Sequence, residues 1–207
     1  MEARSAIARR RLEKAEQDKS AQFYPTSPWI TEALLAREKL PGPVWEPACG
    51  EGTMARVLES HGYVVAGTDL NDYGYGEPRL DFTLAYTVPS VDGVVCRTIM
   101  TNPPFGIATL FVRHALALPG IEAVAMLVKL SFLAGLERRR TIYKEHPPHR
   151  AWVFSARPAF MMGTTNTKGI SGVFEYCWLV WRRGPGEPWP AQETRLGWID
   201  ARARDAL

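Results

Sequence analysis

Apolar residues along this chain gather in short runs rich in β-branched and aromatic side chains, separated by amphipathic stretches and by breaks rich in Gly and Pro. The runs at residues 44–46, 63–69, 94–101 and 123–129 predict buried strands. Residues 28–35, 54–59, 106–118 and 132–143 predict helices, the first with Ser27 as N-cap and Pro28 at its opening position. Strands that alternate with helices imply βαβ units and a mostly parallel sheet. Residues 71–93, rich in Gly, Pro, Asp and Tyr, read as loops around a short strand near 79–81. Two last runs, 151–155 and 174–181, have no helix between them and predict an antiparallel hairpin. The fold class expected is α/β: a doubly wound, mostly parallel sheet of about seven strands with a terminal antiparallel strand.

A chain of 207 residues suits one domain with an ample core. The expected organisation is a charged N-terminal helix or arm at 1–22, the main domain at 23–183 and a short C-terminal tail at 184–207. The net charge of +3 is too small to mark a nucleic-acid binder unless basic residues cluster. They do so at Arg138, Arg139, Arg140, Lys144 and Arg150, which serve either as phosphate contacts or as the solvated end of a helix. Residues 2–20, mixed in charge, carry the same two readings. Cys49, Cys96 and Cys177 are far apart, and no histidine stands at ligand spacing from them, so reduced buried thiols are expected and no metal site. No apolar run is long enough for a signal sequence or a membrane span, which predicts a cytoplasmic protein without membrane contact. With no apolar stripe in view, a monomer is expected.

Candidate chemistry lies in two segments. Glu46-Pro47-Ala48-Cys49-Gly50-Glu51-Gly52 follows the first strand and precedes a helix, where a parallel sheet opens its ligand crevice. Gly50 and Gly52 let the backbone turn sharply and approach a ligand. A dinucleotide fingerprint is not completed, because position 55 is Ala. Thr101-Asn102-Pro103-Pro104-Phe105 leaves a later strand. Two prolines stiffen that turn and remove competing N–H donors beside an amide and an aromatic ring.

Together these segments resemble the S-adenosylmethionine-dependent amino-methyltransferases of class I fold, most closely the small phage-type enzymes that modify N6 of adenine in DNA. The resemblance spans residues 23–183, specific at the two motifs and loose elsewhere. It implies S-adenosylmethionine as cofactor, with the glycine loop around its methionine and ribose. Asp69, ending the second strand, occupies the position that binds the ribose hydroxyls, with Leu70 beside it. Asp81 and Phe82 stand where the family contacts the adenine ring, although an ordinary loop acid fits the pair equally. Tyr24, Pro25 and Thr26 resemble a segment that closes over the methionine end, but the order Phe-Tyr-Pro-Thr-Ser-Pro departs from the family's and leaves the contacting hydroxyl open.

On the acceptor side the resemblance implies that the Asn102 side-chain carbonyl and the Pro103 main-chain carbonyl accept the amino N–H groups, Pro104 holds the turn and Phe105 stacks on the base. Transfer is then a direct in-line displacement needing no general base. Cofactor contacts are expected from Tyr24, Pro25, Thr26, Glu46, Pro47, Ala48, Gly50, Gly52, Asp69, Leu70, Asp81, Phe82 and Asn102. Lys168 joins the basic residues as a nucleic-acid contact, on a rim formed with Arg157, Pro158 and residues 161–171. Residues 176–181 resemble the family's final aromatic strand, where Trp178 and Trp181 read as core. DNA is favoured over RNA as partner. The alternatives are RNA adenine methylation, protein glutamine methylation, cytosine N4 methylation and a non-catalytic nucleic-acid-binding subunit.

Overall fold

The computed structural model describes residues 24–160, 172–191 and 193–200. The expected helix at 2–20, Phe23, the 161–171 rim and Lys168 lie outside them. Nine strands occur among the described residues: β1 (Val44–Glu46), β2 (Val65–Gly67), β3 (Ser90–Val91), β4 (Val94–Val95), β5 (Thr98–Thr101), β6 (Ala123–Lys129), β7 (Arg150–Phe154), β8 (Tyr176–Arg182) and β9 (Arg195–Ile199). Seven form one sheet in the order β2-β1-β5-β6-β8-β7-β9, and β3 and β4 pair separately. β1 runs parallel to β2 and β5, and β5 to β6, whereas β8 is antiparallel to both β6 and β7.

Period-two alternation sorts the core into two layers. On β6, Val124, Met126 and Val128 face the helix α3 (Ala108–Ala117) through Phe111, Val112 and Ala115. Ala123, Ala125 and Leu127 face the opposite layer, with Ile30 and Leu34 of α1 (Pro28–Leu35) and Met54 and Leu58 of α2 (Thr53–Ser60). Every β6 residue from Ala123 to Val128 is buried, as a strand covered on both faces requires.

Four expectations are corrected in detail. The run 94–101 is two strands, since β4 turns away to pair with β3 before β5 enters the sheet. Residues 79–81 form no strand, and Leu80 N–H only bonds the Asp69 carbonyl. The helix at 132–143 is broken into a 3-10 turn, a short helix α4 (Leu136–Arg138) and a π turn, with Gly135 at φ 126 between the first two. Residues 195–199 of the expected tail supply β9, parallel to β7 on the sheet edge, so β8 is not the last strand in the chain, while it remains the antiparallel member of the sheet. Ser27 does hold the N-cap position of α1, with Pro28 opening the helix, but its side chain makes no capping bond.

Candidate active site

β1 and β5 lie side by side, with β2 beyond one and β6 beyond the other, so the chain reverses its direction of winding between them. A crevice opens there at the strand carboxyl ends. It has about 870 Å³ of empty space, open solvent at its mouth included. The glycine loop after β1, the turn after β2, residues 80–82 and the Asn-Pro-Pro-Phe turn after β5 all line it. Tyr24, Pro25 and Thr26 close it from the α1 side. Every cofactor and acceptor residue named from the sequence lines this cleft except Gly52, the N-cap of α2.

Gly50 adopts φ 52 and Gly52 φ 78, the left-handed region that favours glycine. Behind them lies Tyr75, whose ring occupies the space a side chain at Gly52 or Gly67 would take, at 2.3 Å and 2.6 Å from an added Cβ. Its hydroxyl donates to Glu59 of α2 at 2.8 Å, which ties ring, loop and helix together. Asp69 is buried and accepts from Gly50 N–H through Oδ2 and from Asn71 N–H through Oδ1, both at 2.9 Å. One carboxylate therefore joins the glycine loop to the β2 turn. Burial raises its pKa, opposed by these same backbone hydrogen bonds.

Glu46, ending β1, is buried, and its Oε2 has no hydrogen-bond partner. Burial holds its pKa well above the ordinary carboxylate value, opposed by a backbone hydrogen bond from Ala55 and reinforced by the charges of Asp69 and Glu59. Asp81 accepts from the Thr83 N–H and hydroxyl and so caps a 3-10 turn. The Phe82 ring is mostly core, packed on Trp45, Phe111 and His114. Burial pushes the Cys49 thiol up to about 12, so it is inert.

Asn102 carries the most informative geometry. Its Nδ2 donates to the Tyr24 carbonyl at 3.3 Å and to Thr26 Oγ1 at 3.1 Å. A main-chain carbonyl only accepts, so this pair fixes which end of the amide is nitrogen. The opposite end, Oδ1, is buried in the cleft wall and has no partner. Phe105 follows, stacked on Tyr24 at 5.8 Å and 30° and touching Tyr176 and Phe160.

The lining has a distinct charge character. Glu46, Glu51, Asp69 and Asp81 contribute carboxylates, and no Lys, Arg or His lines the cleft among the described residues. A nucleotide phosphate has no counter-charge there, whereas a cationic ligand does. No His, Cys, Asp or Glu group able to hold a metal ion occurs among the described residues. No helix among them is long and apolar enough to cross a membrane.

The basic cluster divides between the broken helix and the start of β7. Arg138 is spent on the carbonyls of Phe132, Ser131 and Ala134, and its guanidinium lies 4.8 Å from the Phe132 ring centroid. Arg150 opens β7 at the far end of the sheet, where it and Arg182 pair with buried Glu38. Arg139, Arg140 and Lys144 are exposed along the broken helix. Residues that sequence reasoning missed are Lys129, Tyr73, Phe160 and the contact of Tyr176 with Phe105. Tyr73 lines the cleft beside Asn71, and Lys129 ends β6 against the Phe105 ring. Lys129 carried one signal, a single charge closing an otherwise apolar strand.

No protein family and no curated protein matches the sequence. Solved structures do match in shape. A Listeria monocytogenes protein assigned to the class I S-adenosylmethionine-dependent methyltransferases aligns with a TM-score of 0.54 at 14% identity, over 82% of this chain and 62% of its own. The M protein of the type I restriction enzyme EcoKI aligns with a TM-score of 0.55 at 14% identity, over 86% of this chain and 48% of its own. The 23S rRNA methyltransferase ErmE aligns with a TM-score of 0.50 at 20% identity, over 83% of this chain and 72% of its own. This chain thus spans less than two thirds of the first two. The shared architecture is the class I methyltransferase fold, with β8 antiparallel in an otherwise parallel sheet.

Proposed function

We propose that the chain is an S-adenosylmethionine-dependent methyltransferase acting on the exocyclic N6 amino group of adenine in DNA. One observation carries this reading: the buried, unpartnered Asn102 Oδ1, aimed by the two bonds that its Nδ2 makes. A buried acceptor left unsatisfied is costly. An amino group brought to it would satisfy it.

The chemistry of the lining fits the proposed cofactor, which when bound supplies an electrophilic methyl group on a sulfonium. Glu46 Oε2 suits its ammonium, since a buried carboxylate without a partner is best stabilised by a cation. Asp69 keeps one lone pair on each oxygen beyond its backbone bonds, enough for a ribose diol. Leu70, Leu80 and Phe82 offer apolar surface to a purine.

On the acceptor side the base rests on Phe105, the ring that Tyr24 stacks against. Asn102 Oδ1 and the Pro103 carbonyl accept the two N–H groups, which draws the nitrogen toward tetrahedral geometry and turns its lone pair to the cofactor side. Rate then comes from positioning and preorganised dipoles. After transfer the amine proton leaves past Oδ1 to water. A base within duplex must be flipped out to reach this turn.

The EcoKI M protein supports DNA as acceptor, and ErmE, whose chain is the more fully covered, keeps RNA as the second reading. Asn102→Ala separates the roles in a combined binding and turnover assay. Cofactor affinity stays close to wild type and turnover drops at least a hundredfold, the usual scale for losing one preorganised dipole at the reacting centre. Equal loss of both contradicts the assignment.

A further inference from the structure

The cleft is lined by carboxylates, yet the proposed acceptor is a polyanion. A nucleic acid approaching it needs positive charge beside the acceptor turn; Arg138 is tied to loop carbonyls, Arg150 lies at the opposite end of the sheet, and Arg139, Arg140 and Lys144, though exposed, do not line the cleft. One described cation touches the turn itself. Lys129 Nζ lies 5.1 Å from the Phe105 ring centroid and 3.7 Å from that of Phe174.

Its position follows from the sheet. β6 pairs with β5 through Thr101↔Met126 and runs three residues further, so Lys129 stands beyond the carboxyl end of β5, where Asn102 begins. Across β8 its partner is Tyr176, whose ring also contacts Phe105. Alternation places Lys129 on the α1 side with Ala123, Ala125 and Leu127, the side on which Tyr24 and Phe105 pack. Its side chain is half-buried, and its ammonium has no hydrogen bond or ion pair with any described residue. The two aromatic faces that flank it are a weaker substitute for an anion. Phe174 is 50% exposed, an open ring next to the enclosed one.

We propose that Lys129 anchors a backbone phosphate of the nucleic acid next to the base held on Phe105, and that Phe174 is a stacking platform for the neighbouring base. This rests on the nucleic-acid reading above and deepens it. A cation flanked by an enclosed and an exposed aromatic ring is the chemistry that holds unpaired nucleotides: stacking binds any base face and the ammonium binds the phosphate between them. A lysine serves here as a point charge on a flexible stem.

The test measures binding of a fluorescent oligonucleotide by anisotropy across a series of salt concentrations, with S-adenosylhomocysteine affinity measured in parallel to verify that each variant is folded. Lys129→Met weakens oligonucleotide binding severalfold and lowers the slope of log affinity against log salt by about 0.7 for single strands or 0.9 for duplex, the value of one phosphate contact. Lys129→Arg keeps the wild-type slope. Phe174→Ala weakens binding with the slope unchanged. Wild-type binding with an unaltered slope in Lys129→Met overturns the Lys129 assignment alone. Absence of salt-dependent binding by the wild-type protein overturns it together with the nucleic-acid reading.

Discussion

Replacing Thr26 by Val isolates the aiming of Asn102. The change is nearly isosteric at a buried position and removes one acceptor, Oγ1, from the pair that holds the amide nitrogen. What remains is the longer bond to the Tyr24 carbonyl at 3.3 Å. A neutral hydrogen bond of this kind is worth about 0.5–1.5 kcal/mol net. If that energy is spent on orientation and felt in the transition state, turnover falls roughly two- to twelvefold, at ~1.4 kcal/mol per decade. Thr26→Ser keeps an oxygen and retains most of the rate. The assay is single-turnover transfer at saturating cofactor and oligonucleotide, with cofactor affinity measured separately by calorimetry. Unchanged turnover in Thr26→Val refutes the reasoning. So does a rate loss fully explained by weaker cofactor binding, because Thr26 then acts on the cofactor and not on Asn102.

Glu46 gives a pH prediction whose sign follows from burial. The folded carboxyl binds its proton more tightly than the unfolded chain does, so its contribution to stability without cofactor is complete below about 4.3 and is lost as pH rises through the raised folded value. A cationic ligand favours the ionised form, so cofactor affinity rises through that same pH; Glu46→Gln flattens the profile and weakens binding roughly tenfold. A wild-type profile in that variant contradicts the contact. Gly67→Ala puts a Cβ 2.6 Å from the Tyr75 ring and costs about 1–3 kcal/mol by overpacking. Adding Tyr75→Ala relieves that cost, which denaturant melts of the double-mutant cycle detect. Glu38 accepts from Trp152 and Arg182 and forms an ion pair with Arg150, far from the cleft. Its replacement by Ala costs about 3 kcal/mol, the low end for breaking a buried pair because both arginines keep some water. The melting temperature then drops roughly 6–12 °C, with cofactor affinity retained.

How much of this was readable in advance depends on where each signal sits. The segments 28–35 and 123–129 emerge with their expected bounds because their periodicity is continuous and their ends are marked by Pro28 and by Lys129. The two motifs meet in one cleft because strand, turn and helix order alone places both at strand carboxyl ends. β9 was hidden by Gly197, which reads as a breaker but leaves room for the Trp152 ring, 2.3 Å from an added Cβ. The expected seven-strand count is met by an exchange, β9 entering the sheet and residues 79–81 staying out. The basic cluster divides because adjacency in sequence says nothing of direction: Arg138 turns onto its own loop, Arg139, Arg140 and Lys144 stay exposed, and Arg150 opens β7 at the end away from the cleft. The grip of Tyr24 and Thr26 on Asn102 spans 78 and 76 residues, and no local pattern encodes a contact of that separation.

Everything proposed for the cleft turns on Asn102 Oδ1 receiving an adenine amino group. Its most direct test incubates the protein with methyl-labelled S-adenosylmethionine and, in separate reactions, duplex DNA, single-stranded DNA, RNA and a protein extract, then digests each and identifies the labelled product. Label is expected in N6-methyladenine, from DNA foremost, and is lost in Asn102→Ala. Label confined to glutamine or to N4-methylcytosine, or no transfer to any acceptor by protein that binds the cofactor, contradicts it.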